Sequence, residues 1–402
     1  MRPPLLSLLS LSLSLIPGIS GRYTLNLPPL LTPGPIQADY RTPSLTQSDL
    51  DSPKLPRANT STFDWWSFDA ISLENPNAAV SVTFSNAGPD GYPLDLPDVS
   101  YVFPNGTGTG QNAMEGERGA LYAHVAVTFP DGRSVRHIQP VESARMHGSG
   151  DSSVAIWHGA GGWMGSEEGY EVELVVNNTS AAPGNGTGSG SEGITNPHTL
   201  CSTPTNFSEA LALGDRGLGW VGVLPDAMAR VDVTVNGERL MFDGYGFHDK
   251  IWSTSPFTSS TGTLHRGRAH LGLYSLVWVS YTPSSPSSSP TPNPIDGQDR
   301  QTITSHFLAR DGEVISSGCA PDSVSIVPGT EQTEGGLVSG FRLSMPGVEV
   351  SVAGDNEVLD GPGGSQAGNG NGRGHSRWHG RARGMIEGND EEGVAVFERF
   401  EY

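Results

Sequence analysis

ARVDVTVNGERLMFDGYGFHDKIW, residues Ala229–Trp252, decides the fold. From Ala229 to Val235 apolar and polar side chains alternate, Asn236-Gly237 follows, and Arg239–Phe242 resumes as a strand-like run. A period of two puts alternate side chains on opposite faces of a strand. Asn-Gly between two such runs is the strongest short-range hairpin signal. The segment Asp243–Trp252 then crowds Gly244, Tyr245, Gly246, Phe247, His248, Asp249, Lys250 and Trp252 together, more than a plain hairpin needs. Glycine permits tight turns and close approach of a ligand, so Gly244 and Gly246 are read as shaping a turn.

Working outward, short strand-like runs recur between turn signals: Ala79–Ser85, Ala120–Phe129, Tyr170–Val176, Ala269–Tyr281, Thr302–Ala309, Val338–Ser344, Val348–Val352 and Gly393–Phe400. No βαβ alternation interrupts them, which indicates sandwiches or barrels. Residues 21–58 are Pro-rich and aperiodic and read as an extended lead-in rather than a packed element. Asn177–Gly193, Thr282–Gln298 and Asp360–Gly374 are low-complexity and read as surface loops. A chain of 402 residues is long enough for two β modules, and residues 245–268 are where they are expected to meet.

The net charge of −20, from 43 acidic against 23 basic residues, argues against nucleic acid and anionic membrane surfaces as partners. Arg2 followed by the apolar run Leu5–Ile16 and small residues at Gly18-Ile19-Ser20 reads as a secretory signal cut after Ser20. A membrane span needs about 20 apolar residues, so no span is expected. Sequons at Asn59, Asn105, Asn177, Asn178, Asn185 and Asn206 (one acceptor of the 177–178 pair) fit routing to the secretory pathway. Cys201 and Cys319 either pair in that oxidising compartment or stand as two buried thiols.

Serine-hydrolase elbows, H-E-x-x-H, Walker loops and strand-preceded G-x-G-x-x-G are absent, so neither cofactor nor metal is expected. Phe63-Asp64-Trp65-Trp66-Ser67-Phe68-Asp69 is the second unusual cluster. In a strand Trp66 and Phe68 face one way, Trp65 and Ser67 the other. One Trp is then core and the other an interface residue, or the pair walls an apolar pocket beside the Asn86 amide. His248, Asp249 and Lys250 form an acid/base group, or His248 and Asp249 hydrogen-bond each other and fix the turn. Trp157, Trp163, Trp220, Trp278 and Trp378 read mostly as core, with one or two left for a cavity.

Phe63–Ser72 (FDWWSFDAIS), Leu218–Val223 (LGWVGV), Val231–Trp252 and Gly393–Glu398 (GVAVFE) resemble the fungal lipocalin-like Diels-Alderases of polyketide–peptide hybrid pathways, and more distantly the carotenoid 1,2-hydratases. The resemblance spans about Leu50 to Phe400. It implies an all-β fold with an N-terminal β-sandwich-like domain (59–250) and a C-terminal lipocalin-like β-barrel (251–402), with the ligand at or near their junction. It also implies a cofactor-independent pericyclase that closes a hydrophobic polyene by intramolecular [4+2] cycloaddition, and a monomer is expected. Trp65, Trp66, Ser67, Trp220, Tyr245, His248, Trp252 and Trp378 would contact substrate, with Asn86, Trp66 and Trp220 as the catalytic candidates. Asp69, Gly244, Gly246, His248 and Asp249 would mark the fold and the junction. Ser67, Phe247 and Ile251 depart from the family pattern, which usually carries Tyr, Tyr and Asn there. The alternatives are a hydratase or lyase using His248 and Asp249 for proton transfer, and a secreted carrier that releases a hydrophobic ligand unchanged.

Overall fold

The structure, a computed structural model, describes residues 22–40, 46–91, 120–166, 169–175, 185–191, 211–213, 217–284, 302–319, 323–333, 336–360 and 374–402. Two antiparallel sheets dominate. The first holds β1 (Tyr23–Leu27), β2 (Phe63–Ser72), β3 (Ala79–Ala87), β4 (Leu121–Thr128), β5 (Ser134–Pro140), β6 (Ala144–Ser149), β7 (Ser152–Trp157), β8 (Gly161–Ser166), β9 (Gly169–Val175), β10 (Asn185–Ser191), β11 (Ala212–Leu213), β12 (Leu218–Val235) and β13 (Glu238–Ser253). The second holds β14 (Thr261–Leu271), β15 (Tyr274–Pro283), β16 (Ile303–Arg310), β17 (Glu313–Gly318), β18 (Ser325–Thr333), β19 (Gly336–Met345), β20 (Val348–Asp360), β21 (Gly374–Ile386) and β22 (Asn389–Glu401). Two short helices, α1 (Gln47–Asp51) and α2 (Phe257–Ser260), complete the described elements. Among the described residues no helix is long and apolar enough to cross a membrane.

In the first sheet the order is β1-β6-β7-β8-β9-β10-β12-β13-β2-β3-β4-β5, with β11 beside β12. The sheet curls until its β7–β8 part lies over β2 and β3. Trp157 and Trp163 pack 5.2 and 5.5 Å from Phe84, and Trp163 packs 5.6 Å from Trp66. One folded sheet thus makes both layers of a sandwich around an apolar lumen. The second sheet is a meander in which the last strand, β22, returns beside the first, β14. It wraps its own core of Trp278, Phe341, Leu343, Trp378 and Phe397. The chain is all-β, as the alternation implied.

Strand β2 and the Gly244–Ser253 half of β13 lie at the centre, covered on both faces, which is why FDWWSFDAIS is buried almost throughout instead of alternating. Their pairing register sets Asp249 opposite Ser67 and His248 opposite Phe68. Asp243–Trp252 is therefore mid-strand and not a turn. The hairpin turn is Asn236-Gly237, where both residues adopt positive φ (52° and 80°). Gly244 is needed because a Cβ there would strike the Ile71 carbonyl of the neighbouring strand.

Three other expectations change. The lead-in contains β1, which pairs with β6, and α1, whose Leu50 and Asp51 are buried. Leu27, Leu31, Ile36, Leu50 and Leu55 pack inward although they follow no period, while Leu25 stays exposed. Within Asn177–Gly193, Asn185–Ser191 forms β10, because main-chain pairing to β9 and β12 needs no apolar side chains. Ala269–Tyr281 is two strands, broken after Leu271 by Gly272 at φ 57°. The chain passes from one sheet to the other between Ser253 and Thr261. Cys319 is disulfide-bonded. Cys201 lies outside the described residues, as do the expected signal segment and the sequons at Asn105, Asn177, Asn178 and Asn206.

Candidate active site in the lumen

Alternation along β2 and β13 sends Trp66, Phe68, His248, Lys250 and Trp252 into the lumen, and Trp65, Ser67, Asp69, Phe247, Asp249 and Ile251 toward the second sheet. His248 and Asp249 therefore cannot bond each other, being neighbours on opposite faces of a strand.

In the lumen, His248 stacks on Phe68 with centroids 3.9 Å apart. Its Nδ1 is 2.8 Å from the Ser67 carbonyl and its Nε2 is 2.8 Å from Asp51 Oδ1. Both ring nitrogens face acceptors, so the imidazolium, which donates from both, is the form that satisfies the site. Ser153 Oγ and the Tyr170 hydroxyl donate to Asp51 Oδ2 at 2.5 and 2.7 Å. Burial alone would raise the Asp51 carboxyl, but the His248 charge and these hydrogen bonds outweigh it and hold it below the ordinary value. Burial, reinforced by Asp51, pushes the Tyr170 hydroxyl well up.

An apolar cavity of about 80 Å³ opens directly beside this group. His248, Tyr170, Phe68, Val82, Val172 and Val231 are among the residues that line it. At the tryptophan-rich end of the lumen, Lys250 bonds Asp64 and lies 3.5 Å over the Trp66 ring. Burial pulls the Lys250 ammonium down to about 7 and raises the Asp64 carboxyl. Asn86, opposite Asp64 in register, is fully buried with both amide atoms unpaired, and so is the Trp252 indole N–H. Metal-ligating clusters are absent among the described residues.

On the opposite face, three carboxylates and three guanidiniums close into an alternating ring. Arg268 joins Asp69 (3.1 Å) to Asp249, Arg266 joins Asp249 to Glu398 (2.6 Å), and Arg377 joins Glu398 (2.9 Å) back to Asp69. The two aspartates come from the first sheet and the other four from the second. Burial would raise both Asp69 and Glu398, yet the arginines hold both below the ordinary range. Trp220 donates to Asp249 Oδ2 at 3.3 Å, and Trp65 packs nearby with Phe257. Asp226, in the β12 bulge, makes a second clasp through His270 (2.5 Å) and Ser275, with His270 stacked on Tyr245.

A family model for Diels-Alderase-like proteins matches residues 109–325. The chain belongs to the Diels-Alderase-like family. Its curated relatives include the quinolone epoxide rearrangement protein asqO of Emericella nidulans, 28% identical over 71% of this chain and 69% of that one. Another is the quinolone epoxide rearrangement protein penF of Penicillium thymicola, 26% identical over 72% and 71%. The solved structure of CghA with Sch210972 shares the fold, with a TM-score of 0.62 at 15% identity over 96% of this chain and 99% of that one.

Within this Diels-Alderase-like fold the sequence-derived candidates divide among three places. Trp66, His248, Trp252 and Asn86 line the lumen. Trp65, Ser67, Trp220, Tyr245, Asp69 and Asp249 lie between the sheets, with Ser67 Oγ 3.1 Å from Thr83 Oγ1. Trp378 is in the core of the second sheet. Of the glycines, Gly244 and Gly246 let β13 approach its neighbours. Asp51, Ser153 and Tyr170 were not legible as a group, since they come from three separate segments. Arg266, Arg268 and Arg377 were missed as well, since the alternating charges of RGRAHL and HSRWHGR mark one face of a strand without saying that this face is buried. The sequon residue Asn59 uses its amide in a turn, accepting from Ser61 N and Thr62 N and donating to Gly34 O.

Proposed function

We propose that this chain is an isomerising cyclase that folds a hydrophobic secondary-metabolite precursor in the lumen, the reaction being an intramolecular [4+2] cycloaddition of a linear polyene polyketide–amino acid hybrid. The observation that carries it is the apolar cavity set against the His248–Asp51–Tyr170 group. A cycloaddition needs no nucleophile. Its barrier falls when diene and dienophile are held together, a contribution that reaches about 7–11 kcal/mol in favourable systems. Cationic or hydroxyl donors near a conjugated carbonyl lower it further as charge builds on that oxygen. Residues that fill the cavity should therefore stop the reaction without unfolding the sheet. In a test with a linear polyene tetramate, Val231→Trp is expected to lose cyclisation and Trp66→Ala to lose stereoselectivity, both read by chromatography of the products. A folded Val231→Trp protein with wild-type rate and product ratio would sink the reading.

A second reading, rearrangement of an epoxide, is favoured by the names of the curated relatives and by the imidazolium at the cavity wall. Turnover of a quinolone epoxide, with the polyene left unchanged, would select it. We also propose passage through an oxidising compartment, which the Cys319 disulfide supports.

A further inference from the structure

We propose that His248 Nε2–H, the Tyr170 hydroxyl and the Ser153 hydroxyl form an oxyanion cradle for a conjugated carbonyl or enolate oxygen of the substrate, and that Asp51 fills this cradle as an internal stand-in until its segment withdraws. The inference rests on the lumen being the substrate chamber. The three donors converge on one carboxylate at 2.8, 2.7 and 2.5 Å, and they stand on β13, β9 and β7 of the rigid sheet. The acceptor does not. Asp51 ends α1, in the segment that precedes β2 and pairs with no strand there.

Tyr170 and His248 line the apolar cavity as well as the cradle. An oxygen at the Asp51 carboxylate would thus have its carbon skeleton directed past Phe68 toward Val172 and Leu224. Small-molecule sites commonly need about 300–1,000 Å³, several times the 80 Å³ of the cavity as it stands. Enlarging it by parting strands would break ladder hydrogen bonds. Withdrawing the α1 segment breaks few: Ser48 N to Gly150 O (3.2 Å), Asp39 N to Lys54 O (2.9 Å), Trp66 Nε1 to Asp51 O (2.8 Å), and Lys54 N and Leu55 N to Asp64 (2.6 and 3.2 Å). Once Asp51 leaves, two hydroxyls and the His248 ring N–H lose their acceptor, and an incoming negative or strongly polarised oxygen restores it. A plain hydrocarbon would not satisfy them.

The probe is 4-nitrophenolate, held ionised and followed by its absorbance. Asp51→Ala is expected to bind it at least tenfold more tightly than wild type, and adding Tyr170→Phe should remove most of that gain. A folded Asp51→Ala protein that binds no more tightly, or a gain indifferent to Tyr170→Phe, overturns the proposal. Amide hydrogen exchange on the wild-type protein decides the case should Asp51→Ala not fold. The Leu50, Lys54 and Leu55 amides are expected to exchange at least a hundredfold faster than those of β13 by a local opening. Equal protection across both segments overturns the proposal. Nitrophenolate binding together with unimpaired turnover in Val231→Trp would retain the cradle and remove the lumen as the reaction chamber.

Discussion

Replacing Asp249 by Asn tests how the two sheets are joined. Asp249 Oδ2 accepts from both Arg266 and Arg268, and from the Trp220 indole, with no exposure to solvent. Asn keeps the volume and one acceptor but leaves the alternating ring with one more positive charge than negative. Removing one partner of a buried ion pair costs about 3–5 kcal/mol, because the other charge stays desolvated. Two arginines depend on this carboxylate, so the upper half of that range is expected. Against a total stability of about 5–15 kcal/mol this is a large fraction. The internal control is Asp232→Asn, which removes an Arg239 pair at 2.6 Å whose side chains are 37% and 59% exposed. Solvent screening leaves that loss small beside the loss of the buried ring carboxylate. Urea unfolding followed by tryptophan fluorescence and by far-ultraviolet dichroism measures both variants. In Asp249→Asn the two probes should separate, because the ring spans the sheets and its loss lets one unfold before the other. Added salt should weaken the wild-type advantage over Asp232→Asn and leave the advantage over Asp249→Asn nearly intact. A cost under about 1 kcal/mol with coincident transitions would refute the view that the ring couples the sheets.

Two further outcomes are expected. Burial lowers His124, His375 and His379 from 6.5 to about 3, so each is neutral when folded and protonated more readily when unfolded. Stability is then fully present above about 6.5 and falls through the window down to 3, at about 1.4 kcal/mol per pH unit for each histidine. Urea midpoints from pH 7 to 4 measure the slope; His124→Gln should flatten it, and a level profile would contradict the burial argument. Gly219→Ala places a Cβ against the Trp252 ring. Overpacking of this kind costs about 1–3 kcal/mol, visible as a lower melting temperature, and an unchanged one would show that Trp252 has room to shift.

The β architecture was legible because alternation and Asn-Gly are local signals. In Ala229–Phe242 the pattern and the turn residue agree, and the hairpin forms there. The site was legible only in pieces. His248 and Trp66 stand out by composition, but nothing in the sequence ties His248 to Asp51, which lies 197 residues away in an aperiodic segment. The turn reading of Asp243–Trp252 failed for a physical reason. Glycines that serve close strand packing look, in sequence, the same as glycines that serve a turn. Buried charge is likewise hidden, since an arginine in a strand reads as surface until its acids are located in the other sheet.

The unusual density of the two motifs follows from the position of their strands. A strand with one face in water needs only half of its residues to be specific. Strand β2 and the second half of β13 have a lumen on one side and the second sheet on the other, so nearly every residue there carries a constraint. Asp69 and Asp249 anchor the ring while Phe68 and His248, their immediate neighbours, face the cavity. A register slip of one residue between these strands and the rest would exchange the faces, placing the ring carboxylates in the apolar lumen and the imidazolium against arginines. Both the junction and the chamber would be lost together. Ring and chamber are thus a single specification written on alternate residues, and the ring, by fixing the register of β13, also fixes where His248 meets Asp51. On this view Asp249→Asn reaches the lumen without touching it. Its expected signature there is faster amide exchange at Leu50, Lys54 and Leu55 as well as weaker sheet coupling.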